Sequence, residues 1–420
     1  MAEPKPLMYA ELLANIRQIS VIAALETPCH SSTRVELSAD GHQFTLHHEG
    51  KTTVLNLPGT TSPNIQLQKP ALGAKELSWR LPLVSEPTAS SAESSDAPWP
   101  AKDLDEDSEF RCRSCAEVVV GKGKVTVWKD LPSENWADMM DFWHCHKPSA
   151  PANGDHSHDE ASSRGYGANT KFTAQPTVGF VDLTTFLLAE SDCRGIEPKT
   201  PAEEASAEVS QYQPLICKTC HTYIGHVDHA ADGYRLYKWR LQTLTLTQIH
   251  DAPSSTSYYY QPSTSSIIAF HLHSILTNQC TSRLLLIPPN FRPSPTPTPS
   301  PSPFPLLLLH LWILTPFLSY STSTSTTPSP SPSSPSPSSA MKLFYRPIHL
   351  PSSSTSSSSS SPSSSANDVT TLLTDPSIDE VQLPADTIFE IERALRESRR
   401  LLPGSMAAFR GWEVGLLERG

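Results

Sequence analysis

Two Cys-x-x-Cys pairs, Cys112 with Cys115 and Cys217 with Cys220, lie about a hundred residues apart in a 420-residue chain that holds only eight cysteines. Two residues between sulfurs let one tight turn aim both at a single ion, and four thiolates saturate Zn²⁺ in a tetrahedral shell. The spacing predicts one structural zinc that ties two distant stretches together, with Cys112, Cys115, Cys217 and Cys220 as ligands. His221 and His226 stand near enough in sequence to replace a missing fourth sulfur. The competing readings are that each pair is incidental or a redox dithiol; the latter asks for a βαβ setting, and the flanking residues 117–128 and 234–240 read as strands. A closed four-sulfur site leaves no open position for chemistry, so activity has to come from other residues.

Composition narrows the rest. The net charge is −11 and no block of Lys or Arg occurs, which excludes direct nucleic-acid binding through phosphate neutralisation and points to protein partners. Residues 1–8 carry neither a basic segment nor an apolar core, so no secretory signal is expected and the thiols should stay reduced, favouring metal over disulfide. The most apolar run, residues 306–318, follows Pro305 and is broken by Pro316. It is too short to span a bilayer and reads as a buried strand. The expectation is a soluble protein of the cytoplasm, the nucleus or both, with no membrane partner.

Along the chain the pattern is β-rich α+β. Residues 9–18 fit a short helix or an extended edge equally. Val35 and Leu37, Phe44 and Leu46, then Val54, Leu55 and Leu57 are apolar positions separated by Asp40-Gly41 and Glu49-Gly50, which predicts an antiparallel N-terminal meander. Polar linkers are expected over 85–107 and 148–170, the latter carrying His156 and His158 in what reads as a solvated loop. Gly121-Lys-Gly-Lys124 lacks the remainder of a phosphate loop and reads as a hairpin turn. Helix is expected over 267–276, strands over 283–287, 306–314 and 341–345, and a final strand through Trp412, Val414 and Leu416. Asp386 should cap a helix with Ile388, Ile391, Leu395 and Leu402 on its apolar stripe and Glu392 with Arg396 on its solvent side, Gly404 acting as stop. Low-complexity Pro/Ser/Thr tracts over 290–305, 319–339 and 352–365 cannot offset their ordering entropy and read as disordered insertions. The chain therefore divides into an N-terminal β-rich part (1–84), a linker (85–107), a zinc-stapled centre (108–250) and a C-terminal α+β part (251–420).

One further cysteine stands out. Ser133 as cap, Glu134 in the first turn, and Trp136, Met139, Met140 and Trp143 at helical spacing predict a short amphipathic helix that ends at His144-Cys-His146. Neighbouring imidazoles favour a thiolate at Cys145, whereas a helix C-terminus opposes it. A thioester-forming nucleophile, a soft metal ligand and a small packing residue all remain open for this position.

Taken together, Leu131-Pro-Ser-Glu-Asn-Trp136, Trp143-His-Cys-His146, Ile216-Cys-Lys-Thr-Cys220 followed by Tyr234-Arg-Leu-Tyr-Lys-Trp-Arg240, and the closing Phe409-Arg-Gly-Trp-Glu-Val-Gly-Leu-Leu417 resemble the HECT-like E3 ubiquitin ligases that bind ubiquitin-conjugating enzymes (E2). Tyr9-Ala-Glu-Leu-Leu13 and Leu77-Ser-Trp-Arg-Leu-Pro82 fit the same family. The resemblance implies a ubiquitin-protein transferase whose partners are an E2, ubiquitin and protein substrates, with Cys145 the catalytic candidate. It also implies a link to the metallo-endonuclease of pre-mRNA cleavage and polyadenylation. In that alternative the chain is a non-enzymatic regulator and the Trp143-His-Cys-His146 region offers Cys145 to the nuclease zinc. The Pro/Ser/Thr insertions after Ile287 depart from the family pattern, and no C-terminal-lobe cysteine of the bilobal HECT kind follows Cys280.

Overall fold

The structure, a computed structural model, describes residues 6–84, 97–131, 173–199, 212–247, 256–289, 291, 306–324, 337–350 and 363–419, with only the backbone described over 244–247, 256–259 and 363–368. The chain folds into two compact units, one from residues 1–95 and 264–420, the other from 96–263. The stretches 1–84 and 251–420, separate parts in the sequence reading, thus fall largely in one unit, and 108–250 in the other. Among the described residues the sheets are antiparallel but for two strand pairs. Among the described residues no helix is long and apolar enough to cross a membrane.

The first unit is organised by a long hairpin, Leu306–Thr322 with Ser338–Leu350. On one side of it lie Trp412–Glu418 and the short Ala408–Phe409; on the other lie Leu7–Leu13, Gln18–Ala24 and Glu76–Pro82. Residues 9–18, ambiguous in sequence, are mostly strand, because Leu7–Leu13 finds partners on both edges. The meander is present as Arg34–Leu37, Gln43–His48 and Lys51–Asn56. Its Phe44 and Leu46 share a core with Met8, Ile19, Val21 and Trp79. Glu49 and Gly50 both have positive φ, the geometry a two-residue hairpin turn demands.

Among the described residues three α-helices complete this unit: α1 (Thr264–Gln279), α2 (Ser363–Thr374) and α3 (Ala385–Ser398). Ile388, Ile391, Leu395 and Leu402 are buried as the stripe predicts, and Arg396 lies 3.6 Å from Glu392. The cap differs from expectation. Pro384 holds the N-cap position without a side-chain bond, and Asp386 sits inside the first turn, where its carboxylate accepts the Thr387 N–H at 2.8 Å. A carboxylate there still meets the positive end of the helix. The same helix explains Gly415: a Cβ at that residue would lie 2.9 Å from a Leu395 methyl and 3.1 Å from the Leu395 carbonyl oxygen, so strand and helix approach too closely for any side chain. The second low-complexity tract begins later than its composition suggests. Ser319 pairs with Ser339 and Tyr320 with Ser338, since ladder bonds need backbone rather than apolar side chains.

In the second unit, Ile196–Pro198, Gln213–Cys217, Tyr223–Asp228, Gly233–Tyr237, Thr185–Leu188, Val178–Val181 and Val127–Asp130 form one sheet in that order. A smaller sheet runs Thr256–Tyr260, Leu241–Thr247, Phe110–Cys112, Val118–Val120. Residues of both sheets, Phe110, Val119, Phe186, Leu215 and Ile224 among them, share one core. Three expectations are corrected here. Residues 117–128 are not one strand but two, in different sheets, and the turn at 121–124 joins them rather than closing a hairpin. Residues 234–240 are strand only to Tyr237, then a 3₁₀ turn. Residues 97–107 of the expected linker are packed structure: Trp99 is buried, 5.2 Å from Phe110 and 6.0 Å from Phe186 between ring centroids. Lys238 Nζ donates to the Pro98 carbonyl at 2.8 Å and to the Trp99 carbonyl at 3.3 Å, fixing that segment. One large ring outweighs the polar composition around it.

Candidate functional site

Cys112 ends the strand Phe110–Cys112 and Cys217 ends Gln213–Cys217. After each, the chain makes the same turn. The carbonyl of Cys112 accepts from Ala116 N–H at 2.9 Å, and that of Cys217 from His221 N–H at 2.9 Å; Cys112 N–H donates to Glu117 and Cys217 N–H to Thr222. Ala116 (φ 60°) and His221 (φ 58°) both adopt the left-handed conformation that closes such a turn. That conformation costs roughly 1–2 kcal/mol in a non-glycine residue, so two matched instances need a compensating interaction. The second sulfur of each pair is thereby folded back toward the first.

The two turns face one another. Cys112 Sγ lies 3.6 Å from Cys220 Sγ, Cys115 Sγ lies 3.6 Å from Cys217 Sγ, and all four sulfurs fall within 4.8 Å of one another. Tetrahedral zinc with Zn–S bonds near 2.3 Å separates its ligands by roughly 3.8 Å, so the spacing suits one ion. Thr222 and Ser114 hydroxyls, 3.3 Å apart, join the turns beside the cluster. Cys112 and Cys217 are wholly buried. Burial pushes the Cys112 thiol up to about 12, whereas at Cys220 burial is outweighed by the Thr222 contacts and the neighbouring thiols, bringing it down to about 6. A soft cation that replaces the thiol protons relieves this crowding. All four sequence-derived ligand residues are brought together. His221 supplies its backbone, and His226 Nδ1 is 3.0 Å from the Tyr237 hydroxyl. The Thr222–Ser114 link and the left-handed residues were not anticipated; only the identical offset of Ala116 and His221 from their cysteines signals them.

A second group, His30, His48 and Glu49, also places ligand atoms close together. Both nitrogens of His48 are 2.9 Å from threonine hydroxyls, of Thr27 and Thr33, and Thr27 donates to Glu49 at 2.6 Å. This is a satisfied hydrogen-bond hub linking the meander to residues 27–33. Cys145, its helix at 133–143, and His156 and His158 lie outside the described residues.

A family model described as "HECT-like Ubiquitin-conjugating enzyme (E2)-binding" matches residues 11–414. An uncharacterized protein of Saccharomyces cerevisiae is 29% identical over 189 residues, 44% of this chain and 46% of the yeast protein. An uncharacterized protein of Schizosaccharomyces pombe is 35% identical over 68 residues, 15% of this chain and 20% of that protein. The chain thus spans less than half the length of either curated relative. No solved structure matches it.

Proposed function

The chain belongs to the HECT-like ubiquitin-conjugating enzyme (E2)-binding family, and from that premise we propose that it is an E3 ubiquitin-protein ligase that accepts ubiquitin from an E2 and promotes its transfer to substrate proteins. The observation that supports this reading is the extent of the family match, from residue 11 to residue 414, which runs through both units. Cys112, Cys115, Cys217 and Cys220 would hold zinc as a structural cross-link, and no step of transfer passes through the metal. Cys145 is the nucleophile in this proposal. Its thiolate attacks the carbonyl of the E2–ubiquitin thioester, the E2 thiol leaves, and a substrate amine then attacks the new thioester and releases Cys145. Reduced thiols and protein partners fit the cytoplasm or nucleus as the place of action.

A single-turnover assay with ubiquitin-charged E2 tests the proposal. A ubiquitin adduct that thiol reductant removes, and that Cys145→Ser abolishes while zinc content is kept, supports it. E2 binding without adduct, together with a stoichiometric complex with the cleavage and polyadenylation endonuclease, would replace the ligase with a binding protein.

A further inference from the structure

The closing segment singled out in the sequence, Phe409-Arg-Gly-Trp412, has a role that neither zinc nor Cys145 explains. Arg410 (φ 47°) and Gly411 (φ 81°) form a two-residue turn that makes Phe409 and Trp412 cross-strand neighbours. The register of the large sheet then adds rings to the same face. Trp312 pairs with Phe344, Phe344 pairs with Val414, and Arg283 pairs with Trp312. The result is a cluster of four aromatic rings: Phe409 lies parallel to Phe344 at 5.6 Å, and Trp312 meets Phe344 and Trp412 edge-on. Each outer ring carries a guanidinium, Arg410 over Phe409 at 5.2 Å, Arg346 over Trp412 at 4.8 Å and Arg283 over Trp312 at 4.9 Å.

Arg346, Arg410 and Phe409 are exposed, Phe409 at 51%. An exposed phenyl ring held by a stacked ring and a guanidinium is ordered before any partner arrives, so docking costs little side-chain entropy. Trp and Arg at one spot are also the composition of binding hot spots.

The arrangement decides what it can receive. Nucleic-acid bases need a free aromatic face on which to stack, and the cations already cover the outer rings. What remains outward is the fork of guanidinium N–H donors around an apolar ring edge, which matches carboxylates flanking an apolar residue. On a chain of net charge −11 such a patch is a local exception that an acidic segment would find selectively. Asp375 acts on Arg283 and Arg346 Nη2 donates to the Gly411 carbonyl at 3.2 Å, which leaves Arg410 and the remaining N–H donors of Arg346 for a partner. We propose that this aromatic–arginine face docks an acidic, aromatic-containing segment of a partner protein. The ligase reading enters only in making that partner a substrate.

The test uses the full chain and three labelled dodecapeptides: one with Asp and Glu on both sides of a central Phe, a twin with Lys for the acids, and a twin with Gly for Phe. The wild type should prefer the first by about ten-fold. Arg410→Glu should erase the preference over the Lys twin, and Phe409→Ala the preference over the Gly twin, without lowering the melting temperature or E2 affinity; adding Arg346→Glu should erase the first preference as well, read beside its own melting temperature because Arg346 also holds the Gly411 carbonyl. Equal binding of all three peptides, variants that retain both preferences, or tighter binding of a uridine 12-mer at this face would overturn the proposal. E2 binding is a separate readout: its absence from the wild type counts against the ligase and leaves the peptide result standing.

Discussion

Cys217→Ser removes one of the two sulfurs that are wholly shielded from water, and the cost can be bounded in two ways. As a cross-link, the cluster closes a loop between Cys115 and Cys217, 102 residues apart. A covalent link closing a loop of that length is worth about 5 kcal/mol through unfolded-state entropy. As a metal site, four-ligand zinc supplies about 10–16 kcal/mol in small domains. The stability of a whole domain is about 5–15 kcal/mol, so even the lower figure consumes much of what holds the second unit together. Hydrogen exchange at neutral pH reads this directly. Amides of the two cysteine turns and of the Tyr223–Asp228 and Gly233–Tyr237 strands should lose protection in the variant, while those of Leu306–Thr322 and Ser338–Leu350 keep theirs. Metal analysis should show about one zinc per wild-type chain and none in the variant. A variant that loses its metal yet keeps full protection at Cys112, Ala116 and His221 would show that hydrogen bonds alone close these turns, and the argument would fail.

Acid should weaken the first unit through His310, which burial, then Arg346 and Arg283, hold down to about 4. The unfolded chain binds the proton first, so stability falls as pH drops from about 6.5 to about 4, by at most about 3 kcal/mol; urea titrations should show this loss, and His310→Leu should flatten it. Trp99→Ala should cost the second unit about 3–5 kcal/mol, measured as a lower urea midpoint, because it empties the space against the Phe110–Phe186 pair. Deleting 325–336 should leave the melting temperature almost unchanged, since loop length costs only logarithmically, whereas deleting 319–339 should lower it by several degrees by removing the rungs at Tyr320 and Ser339.

What the sequence made legible were features whose cause is local. Asp40-Gly41 and Glu49-Gly50 set the meander because turn chemistry acts within a few residues. The stripe through Ile388, Ile391 and Leu395 marks α3 because burial repeats at the helical period. The cysteine spacing announces a shared site for the same reason: a short turn must aim two sulfurs at once. The features that stayed hidden depend on who lies next to whom. Residues 9–18 could not be resolved as strand without knowing that residues 320–322 pair with them. Trp99 looked like a linker residue until Phe110, Phe186 and Lys238 surrounded it. The aromatic–arginine face joins residues 283, 312, 344, 346 and 409–412 through sheet register alone, which no periodicity along the chain encodes.

The pairing of Tyr9 with Thr322 sets a timetable for birth of the protein. Ribosomes add roughly 5–20 residues per second, so on the order of 15–60 s separate the emergence of the first strand from that of its partner. Residues 96–263 are complete only for roughly the last 3–12 s of that interval, while Leu7–Leu13 waits throughout with one edge open. An open strand edge is a template for pairing with other chains. A cell that makes this protein has a reason to shield its first eighty residues for up to a minute, and the four-cysteine site in the middle of the chain can assemble before its two ends close.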